Sequence, residues 1–369
     1  MIRTVAIENY RSLREVTTAL ETLTVVTGPN GSGKTSFYRA LRLLADLARE
    51  GAISTLAQEG GMRSALHAGP RDRAAVAMRL GFSSDDLSYA IDLGLPQPGV
   101  SPFEQDPEIK VEAVWSGPVL RPATLVADRH GPRVRTRSDD GSWRTADWRL
   151  GDHESLMSAL ADPTQTPELY AVREQARRWR FYDHFRTDPG AGARRPAVAT
   201  YTPVLGAGGE DLAAALLTIQ RVGVGAVLDA AVENAFDGAR LEIVEDGEGA
   251  CRLALHQPGL RRPLGAAELS DGTLRYLLLA AALLSPRPPG LLVLNEPEAS
   301  LHPSLMPALA ALVVEAATRS QVVLVTHSGD LVRALRGEAL LLELERAEGA
   351  TTVVGQGRLD GPPWSWPRR

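Results

Sequence analysis

One short segment combines residue types and spacing that are suited to binding phosphate. Gly28-Pro29-Asn30-Gly31-Ser32-Gly33-Lys34-Thr35 fits the pattern GxxxxGK[ST], follows the apolar run 23–27 and precedes a run with helical periodicity. Glycines let backbone N–H groups turn inward around phosphate oxygens, and the helix N-terminus adds positive potential. Lys34 would neutralise the β- and γ-phosphates, and Thr35 would hold Mg²⁺. We therefore expect this loop, extended by Ser36, to bind ATP.

Two apolar runs near the C-terminus end in side chains that can do acid–base chemistry. Residues 291–294 are followed by Asn295 and Glu296, and residues 321–326 are followed by His327. A buried strand that ends in a carboxylate delivers it to the edge of a parallel sheet where ligands bind. A single histidine at such a place is usually structural, so neither run identifies a site by itself.

A third segment, Ser270-Asp271-Gly272, stands at the predicted start of a helix. A serine there caps the helix, and the glycine leaves the backbone accessible. Taken alone, this segment is explained by capping.

The N-terminal part predicts strands, one helix and a meander. Residues 2–10 and 23–27 are typical of strands, and Lys34 to Ala48 is typical of a helix. Short alternating runs separated by Gly, Pro and Asp turns then extend from Ala74 to Thr136, which predicts an antiparallel meander. These runs are 75–82, 87–95, 109–115 and 133–137.

The middle of the chain has helical periodicity, in segments 156–161, 168–185, 211–220 and 226–236. After residue 239 strands and helices alternate, which predicts βαβ units and a parallel sheet. The strands are 241–245, 251–257, 291–295 and 321–326, and the helices are 270–284, 302–318 and 328–335. The proline-rich end, 362–369, is expected to be a frayed tail.

The order of the four motifs resembles that of ABC-type ATPases. The phosphate-binding loop is followed by LSDG, then by an apolar run ending in Asn-Glu, then by a strand ending in His327, 31 residues after Glu296. The opening AIENYRSLREV and the turn EASLHP resemble the RecF, OLD and SMC-like branch more specifically. This resemblance implies an α/β fold: an ABC-type P-loop NTPase head with a mixed or parallel sheet, an antiparallel meander and a helical insertion lobe. The expected division is residues 1–145 and 239–369 for the head and 146–238 for the lobe.

The resemblance also implies roles for individual residues. Ser270, Asp271 and Gly272 would act on ATP bound by another subunit. Glu296 would polarise the attacking water, and His327 would position it near the γ-phosphate.

Two further positions are assigned by the same resemblance. Arg11 would reach toward the nucleotide. Gln58, only 24 residues after Lys34, would be the glutamine of the metal-linked loop, although an exposed loop glutamine needs no function.

Asn295 departs from the family pattern, which has Asp there to hold the Mg²⁺ shell. Asparagine keeps an acceptor oxygen but lacks the charge that attracts Mg²⁺. We therefore expect binding of ATP with Mg²⁺ and slow hydrolysis.

Three functions follow from this pattern. The first is an ATP-driven homodimerising switch in DNA maintenance, DNA repair or antiphage defence, acting with double-stranded DNA or a separately encoded nuclease or effector. The second is a non-hydrolysing ATP-binding scaffold or regulatory subunit, which Asn295 favours. The third, a transporter ATPase subunit, is disfavoured because 236 residues separate Lys34 from Ser270. Only 42 residues follow His327, too few for the TOPRIM nuclease domain of OLD proteins, so we expect any nuclease to be a partner.

A basic segment in the middle of the chain is the candidate DNA-binding surface. Arginines with interleaved aromatic residues can contact phosphates and stack on bases. All but two of the 40 basic residues in this chain are arginine, so a solvated helix face explains the same pattern. The segment contains Arg173, Arg177, Arg178, Trp179, Arg180, Tyr182, Arg194 and Arg195.

The composition of the 369 residues excludes several other classes. The net charge of −5 gives no general sign of nucleic-acid binding, and the single Cys251 excludes an intrachain disulfide. The longest apolar run, 276–284, is well short of the ~18 residues that span a bilayer. The polar N-terminus lacks the core of a signal peptide, so we expect a cytoplasmic protein without membrane association.

Overall fold

The computed structural model describes residues 1–69, 77–97, 99, 102–138, 140–146, 149–357 and 360–369. The start of the predicted meander, residues 74–76, lies outside these ranges. The chain divides into two compact units: a first unit of residues 1–179 and 341–369, and a second unit of residues 180–340. No helix in the described ranges is both long and apolar enough to cross a membrane.

The strands in the described ranges are β1 (Ile2–Tyr10), β2 (Leu13–Ala19), β3 (Leu23–Thr27), β4 (Met78–Ser84), β5 (Leu87–Gly94), β6 (Glu108–Ser116), β7 (Leu125–His130), β8 (Arg133–Arg137), β9 (Trp143–Thr145), β10 (Arg180–Tyr182), β11 (Ala197–Val198), β12 (Arg240–Glu245), β13 (Ala250–His256), β14 (Leu264–Gly265), β15 (Leu291–Asn295), β16 (Gln321–Val325), β17 (Leu340–Ala347) and β18 (Ala350–Val353). The helices are α1 (Lys34–Glu50), α2 (Ala52–Gln58), α3 (Met62–Ala65), α4 (Leu156–Ala159), α5 (Pro167–Arg177), α6 (Leu212–Val222), α7 (Gly225–Ala235), α8 (Asp271–Leu283), α9 (Met306–Ala317) and α10 (Gly329–Ala334).

The first unit contains an eight-stranded sheet in the order β2-β1-β4-β5-β6-β7-β8-β9. Every neighbouring pair is antiparallel, which confirms the predicted meander and adds β1, β2, β7 and β9 to it. Most residues of β4, β5 and β6 are buried, including the polar Asp92 and Glu112, so these central strands are covered on both faces. Beside β3 lies β17, which forms an antiparallel hairpin with β18.

Helix α5 is shorter than the predicted helical segment 168–185, which is wrong beyond Arg177. The Nη2 of Arg49 on α1 donates to the carbonyl oxygens of Arg177 and Trp179, at 2.9 and 2.5 Å, and so satisfies the end of the helix. Trp179 is then buried edge-on against Phe82, with ring centroids 5.1 Å apart. The helix therefore ends two residues before this buried ring.

The C-terminal residues are an ordered part of the first unit, so the prediction of a frayed tail is wrong. Trp364 packs edge-on against buried Trp115, with centroids 5.7 Å apart, and Trp366 packs against Trp364. A Cβ at Gly81 would lie 2.6 Å from Trp364, so the glycine makes room for the ring. Arg369 donates to the buried carboxylate of Asp92 at 2.7 and 2.9 Å.

The second unit contains the three parallel strands β10, β15 and β16, in that order. All residues of β15 and β16 are buried, as expected for strands covered on both faces. A smaller antiparallel sheet has the order β11-β13-β12, with β14 paired to β13. The predicted alternation of strands and helices after residue 239 is confirmed, with boundaries within a few residues.

Candidate nucleotide-binding site

The phosphate-binding loop joins β3 to α1, where the sequence predicts it. Gly28, Gly31 and Gly33 have φ of 142°, 77° and 105°, a region that other residues rarely adopt. A Cβ at Gly28 would lie 2.1 Å from the carbonyl oxygen of Leu344, so this position also lacks space for a side chain. The loop conformation therefore depends on glycine at these positions.

Lys34 is directed back into the loop. Its Nζ donates to the carbonyl oxygens of Gly28 and Pro29 at 2.8 and 3.0 Å, and the residue is only 6% exposed. An ammonium group held against the loop in this way is positioned to meet phosphate charge. The next residue, Thr35, is exposed, and Ser36 accepts a hydrogen bond from Ser12 Oγ at 3.1 Å.

Thr351 on β18 supports the loop, and sequence reasoning missed it. Its hydroxyl donates to the carbonyl oxygen of Ser32 at 2.8 Å and lies 2.9 Å from Ser12 Oγ. A Cβ at Gly33 would be 2.1 Å from Thr351 Oγ1, so the hydroxyl closes tightly on the loop. No sequence signal identifies this residue, because it belongs to a hairpin near the other end of the chain.

Arg11 and Gln58 are bonded to nearby acids. The Arg11 guanidinium donates to Glu59 and, at 3.2 Å, to Tyr10 Oη. Gln58 donates to Glu50 Oε2 at 2.9 Å. Their proposed nucleotide and metal contacts remain predictions.

In the second unit, the carboxyl ends of the parallel strands form an acidic edge. We use this name for Asp183, Asn295, Glu296, Glu298 and His327, which follow or end β10, β15 and β16. Asn295 is 8% exposed, and its Nδ2 donates to Asp183 Oδ1 at 2.7 Å. Its Oδ1 is buried without a hydrogen-bond partner. Sequence reasoning missed Asp183, because it treated residues 168–185 as one helix.

Glu296 is held in an unusual backbone conformation. Its φ is 48°, and its N–H donates to the carbonyl oxygen of Val325 on β16 at 2.8 Å. Such a conformation costs of order 1 kcal/mol and persists only where surrounding structure requires it. The carboxylate is 43% exposed, and its Oε1 lies 3.7 Å from His327 Nδ1. The structure therefore brings together the two residues predicted to act in hydrolysis.

Glu298 holds the loop that carries His327. Its Oε1 accepts hydrogen bonds from Thr326 Oγ1 at 2.6 Å and from the N–H groups of His327 and Ser328 at 3.1 and 3.2 Å. The same oxygen lies 3.4 Å from His327 Nδ1, and the side chain is 6% exposed. The second carboxylate of the sequence Asn-Glu-Pro-Glu was the signal that could have indicated this role.

The segment Ser270-Asp271-Gly272 begins α8. Ser270 Oγ accepts from the N–H of Thr273 at 3.1 Å and caps the helix, while Ser270 and Asp271 are exposed. A Cβ at Gly272 would lie 3.0 Å from the carbonyl oxygen of Ser300, in the turn after β15. Small size at position 272 therefore permits close approach of this turn.

Arg194 fixes the start of α8. Its guanidinium donates to Asp271 at 2.7 Å and to the carbonyl oxygens of Ala266 and Leu269 at 2.9 and 2.8 Å. Its side chain is 8% exposed. Arg194 is thus wrongly placed in the candidate DNA surface.

The assignment of Trp179 and Tyr182 to that surface is also wrong, because both rings are buried. Trp179 is 1% exposed and Tyr182 is 3% exposed, and the Tyr182 hydroxyl donates to the carbonyl oxygen of Leu205 at 2.7 Å. Buried rings cannot stack on bases. Arg177, Arg178 and Arg195 remain exposed.

Arg275 connects α8 to the acidic edge. The guanidinium donates to the carbonyl oxygens of Glu296 and Pro297 at 3.1 and 3.4 Å. Burial lowers the pKa of Arg275, and the neighbouring carboxylates, Glu298 foremost, oppose that shift. One turn of helix therefore separates the Ser270 segment from a contact with the backbone of Glu296.

A phosphate-binding loop between a strand and a helix, together with parallel strands that end in acids, defines a P-loop ATPase fold. Within that class, the chain belongs to the family described as "AAA domain, putative AbiEii toxin, Type IV TA system", whose profile matches residues 23–333. No protein of curated function matches the sequence.

Two solved structures show the same fold. One is an Smc head bound to the C-terminal winged-helix domain of ScpA, with a TM-score of 0.52, 14% identity and 96% of each chain covered. The other is an Smc head with an extended coiled coil bound to the C-terminal domain of ScpA, derived from Pyrococcus furiosus. It has a TM-score of 0.51 and 13% identity, covering 96% of this chain and 95% of that one. These likenesses confirm the predicted fold of an ABC-type ATPase head.

Proposed function

We propose that this protein binds ATP with Mg²⁺ and hydrolyses it, and that ATP binding drives formation of a homodimer. The observation that carries the proposal is the conformation of the phosphate-binding loop. Three glycines in the left-handed region and a buried Lys34 Nζ, held on two loop carbonyls, form a ready site for a triphosphate.

In this proposal each residue has a limited task. Lys34 compensates phosphate charge, and Thr35 supplies a hydroxyl ligand to the metal. Glu296 accepts a proton from the attacking water, and the exposure of its carboxylate leaves room for that water. His327, fixed by Glu298, orients the water from the other side. When bound, Mg²⁺ supplies charge compensation on the phosphates.

Asn295 supports a slower enzyme or a scaffold. The family resemblance places Asp there, and the amide removes one negative charge from the end of β15. A non-hydrolysing ATP-binding scaffold is the second candidate function, and the same residue favours it. Measured turnover with Glu296→Gln as the inactive reference separates the two.

Dimerisation follows from the exposed start of α8. Ser270 and Asp271 are exposed, with Asp271 also paired to Arg194, and we infer that the phosphate-binding loop supplies donors to only one side of a triphosphate. A two-fold interface would use the same patch on both subunits and complete two sites at once. We include in the proposal a role in DNA maintenance, repair or antiphage defence, with double-stranded DNA or a separately encoded effector as partner. The exposed Arg177, Arg178 and Arg195 are the basic side chains of the candidate surface that support DNA contact.

Light scattering tests this proposal. Glu296→Gln with ATP should form a dimer, because ATP is bound but not consumed. Adding Ser270→Arg should leave a monomer that still binds ATP, and adding Lys34→Ala should leave a monomer that does not. A Glu296→Gln protein that stays monomeric at high concentration, or Ser270→Arg with full ATPase activity, would contradict the shared site.

A further inference from the structure

The end of β10 brings an unassigned carboxylate to the acidic edge. The parallel register pairs Tyr182 with Leu294, so the next residues, Asp183 and Asn295, lie side by side. Asp183 Oδ1 accepts from Asn295 Nδ2 at 2.7 Å, across 112 residues of sequence. Asp183 is exposed, so its carboxylate is accessible from solvent.

The amide of Asn295 is oriented by this hydrogen bond. Because Nδ2 is committed to Asp183, Oδ1 points the other way, where it is buried without a hydrogen-bond partner. An unsatisfied buried acceptor costs about 1–3 kcal/mol, so a folded protein that contains one needs an explanation for it. An asparagine carbonyl oxygen is a normal ligand of hard divalent cations, so a bound cation would supply the partner that Oδ1 lacks.

The other carboxylates of the edge have different tasks. Glu298 Oε1 accepts from Thr326 and from two backbone N–H groups, while its Oε2 is buried without a hydrogen-bond partner. Glu296 faces His327 and holds the exposed position expected of a base. In the described ranges no group of three or more His, Cys, Asp or Glu side chains could hold a metal ion by itself. Mg²⁺ is commonly held by one or two protein oxygens together with nucleotide phosphates, and Asp183 and Asn295 are of the type and number that this requires.

We propose that Asp183 and Asn295 form a split magnesium site, in which Asp183 supplies the charge and Asn295 supplies its Oδ1 to the Mg²⁺ of the bound nucleotide. This inference rests on the proposed function. The pair carries one negative charge, the same as the single Asp that the family pattern places at position 295. In this pair the charge is moved to the neighbouring strand and is not lost.

An exchange of the two side chains tests the pair. The variants are Asp183→Asn, Asn295→Asp and the double exchange Asp183→Asn/Asn295→Asp, which differ from the natural chain by amide and acid groups of nearly equal size. Titration calorimetry measures ATP affinity in EDTA and in saturating Mg²⁺, and the ratio of the two affinities is the readout. This ratio reports metal binding without requiring turnover.

Asp183→Asn should reduce the ratio on the order of tenfold to hundredfold while the affinity in EDTA stays the same. The double exchange should restore the ratio, because the charge returns at the adjacent position. Asn295→Asp should raise the ratio above that of the natural chain, because Mg²⁺ then relieves the repulsion between two facing carboxylates.

Asp188→Asn is the matched control. Asp188 lies on the same segment, is exposed and pairs with Arg186 at 2.9 Å, so its loss should leave the ratio unchanged. A ratio that survives Asp183→Asn, or that the double exchange fails to restore, overturns the split site. If Asp183→Asn does not fold, the double exchange still tests the split site. Its ratio of ATP affinities in Mg²⁺ and in EDTA is then compared with that of the natural chain. Absence of ATP binding in the natural chain, in EDTA and in Mg²⁺ alike, contradicts the proposed function itself.

Discussion

The phosphate-binding loop and the acidic edge are built in different ways. The loop consists of consecutive residues, 28–35, and its conformation follows from the glycines among them. The edge collects side chains from three separate segments, and its hydrogen bonds join residues that are 28 to 112 positions apart. A consecutive motif can be recognised in the sequence, whereas a charge that arrives from a neighbouring strand cannot be located until strand pairing is known.

The contrast has a limit, because the loop also has a distant support. Thr351 donates to the carbonyl oxygen of Ser32 from a hairpin near the other end of the chain. Three sets of variants, in decreasing order of expected effect, measure how far each region depends on residues that are distant in the sequence.

Lys34→Ala should have the largest effect. It removes the charged side chain of the loop, so ATP binding should be lost. At a hundredfold excess over Kd, a ligand stabilises a protein by about 2.7 kcal/mol, and this ATP-dependent stabilisation should disappear. Thermal unfolding with and without ATP is the measurement.

Lys110→Ala is the control for that variant, since Lys110 is the other lysine of the chain and pairs with Glu108. Unchanged stabilisation of Lys34→Ala by ATP would show that the nucleotide binds elsewhere.

Glu298→Ala should have the next largest effect. It leaves a hydroxyl and two N–H groups without their acceptor, and each such loss costs about 1–3 kcal/mol, so a decrease of at least about 3 kcal/mol in the free energy of unfolding is expected. Glu298→Gln keeps an acceptor oxygen and should lose less. Urea denaturation measures both, with Glu248→Ala, an exposed acid, as reference. Equal stability of Glu298→Ala and the reference would mean that the acidic edge does not depend on this carboxylate.

Thr351→Val should have the smallest effect of the three. It removes one hydroxyl while keeping the shape of the side chain, which costs about 1–2 kcal/mol, and it should weaken ATP binding several-fold. Thr351→Ser, which keeps the hydroxyl, should bind ATP as the natural chain does. Calorimetric titration with ATP gives the answer. Full affinity in Thr351→Val would show that the loop needs no distant support and would sharpen the contrast with the acidic edge.

The fold and the main motifs were predictable because they depend on local patterns. Strand β3, the loop and helix α1 follow from apolar residues and glycines in a short stretch. The alternation of strands and helices after residue 239 is likewise visible as a change of hydrophobic period. The structure places Glu296 and His327 close together, as the order of motifs predicts.

The errors arose where tertiary packing overrides a local pattern. Residues 180–182 continue a helical periodicity, but they form β10 because β15 offers a parallel partner. Asp183 could not be identified as a neighbour of Asn295 without that pairing. Trp179 resembled an exposed base-stacking residue because its sequence neighbours are arginines, yet the ring is buried against Phe82.

The prediction of a frayed tail for residues 362–369 is wrong for a similar reason. Prolines and arginines suggested a tail without structure, but Trp364 fills space that Gly81 leaves vacant. Such a fit between residues at opposite ends of the chain has no signal in either segment.

The hydrogen bond from Thr351 to Ser32 also bears on the biosynthesis of the protein. The two residues are 319 positions apart, so the motif emerges from the ribosome long before its support does. At about 5–20 residues per second, the delay is roughly 15 to 60 s. During translation the nascent loop lacks the hydroxyl that closes on it, so we expect full affinity for nucleotide only after residue 351 has been added. A chain that stops before residue 351 should therefore capture nucleotide more weakly than one that contains the hairpin.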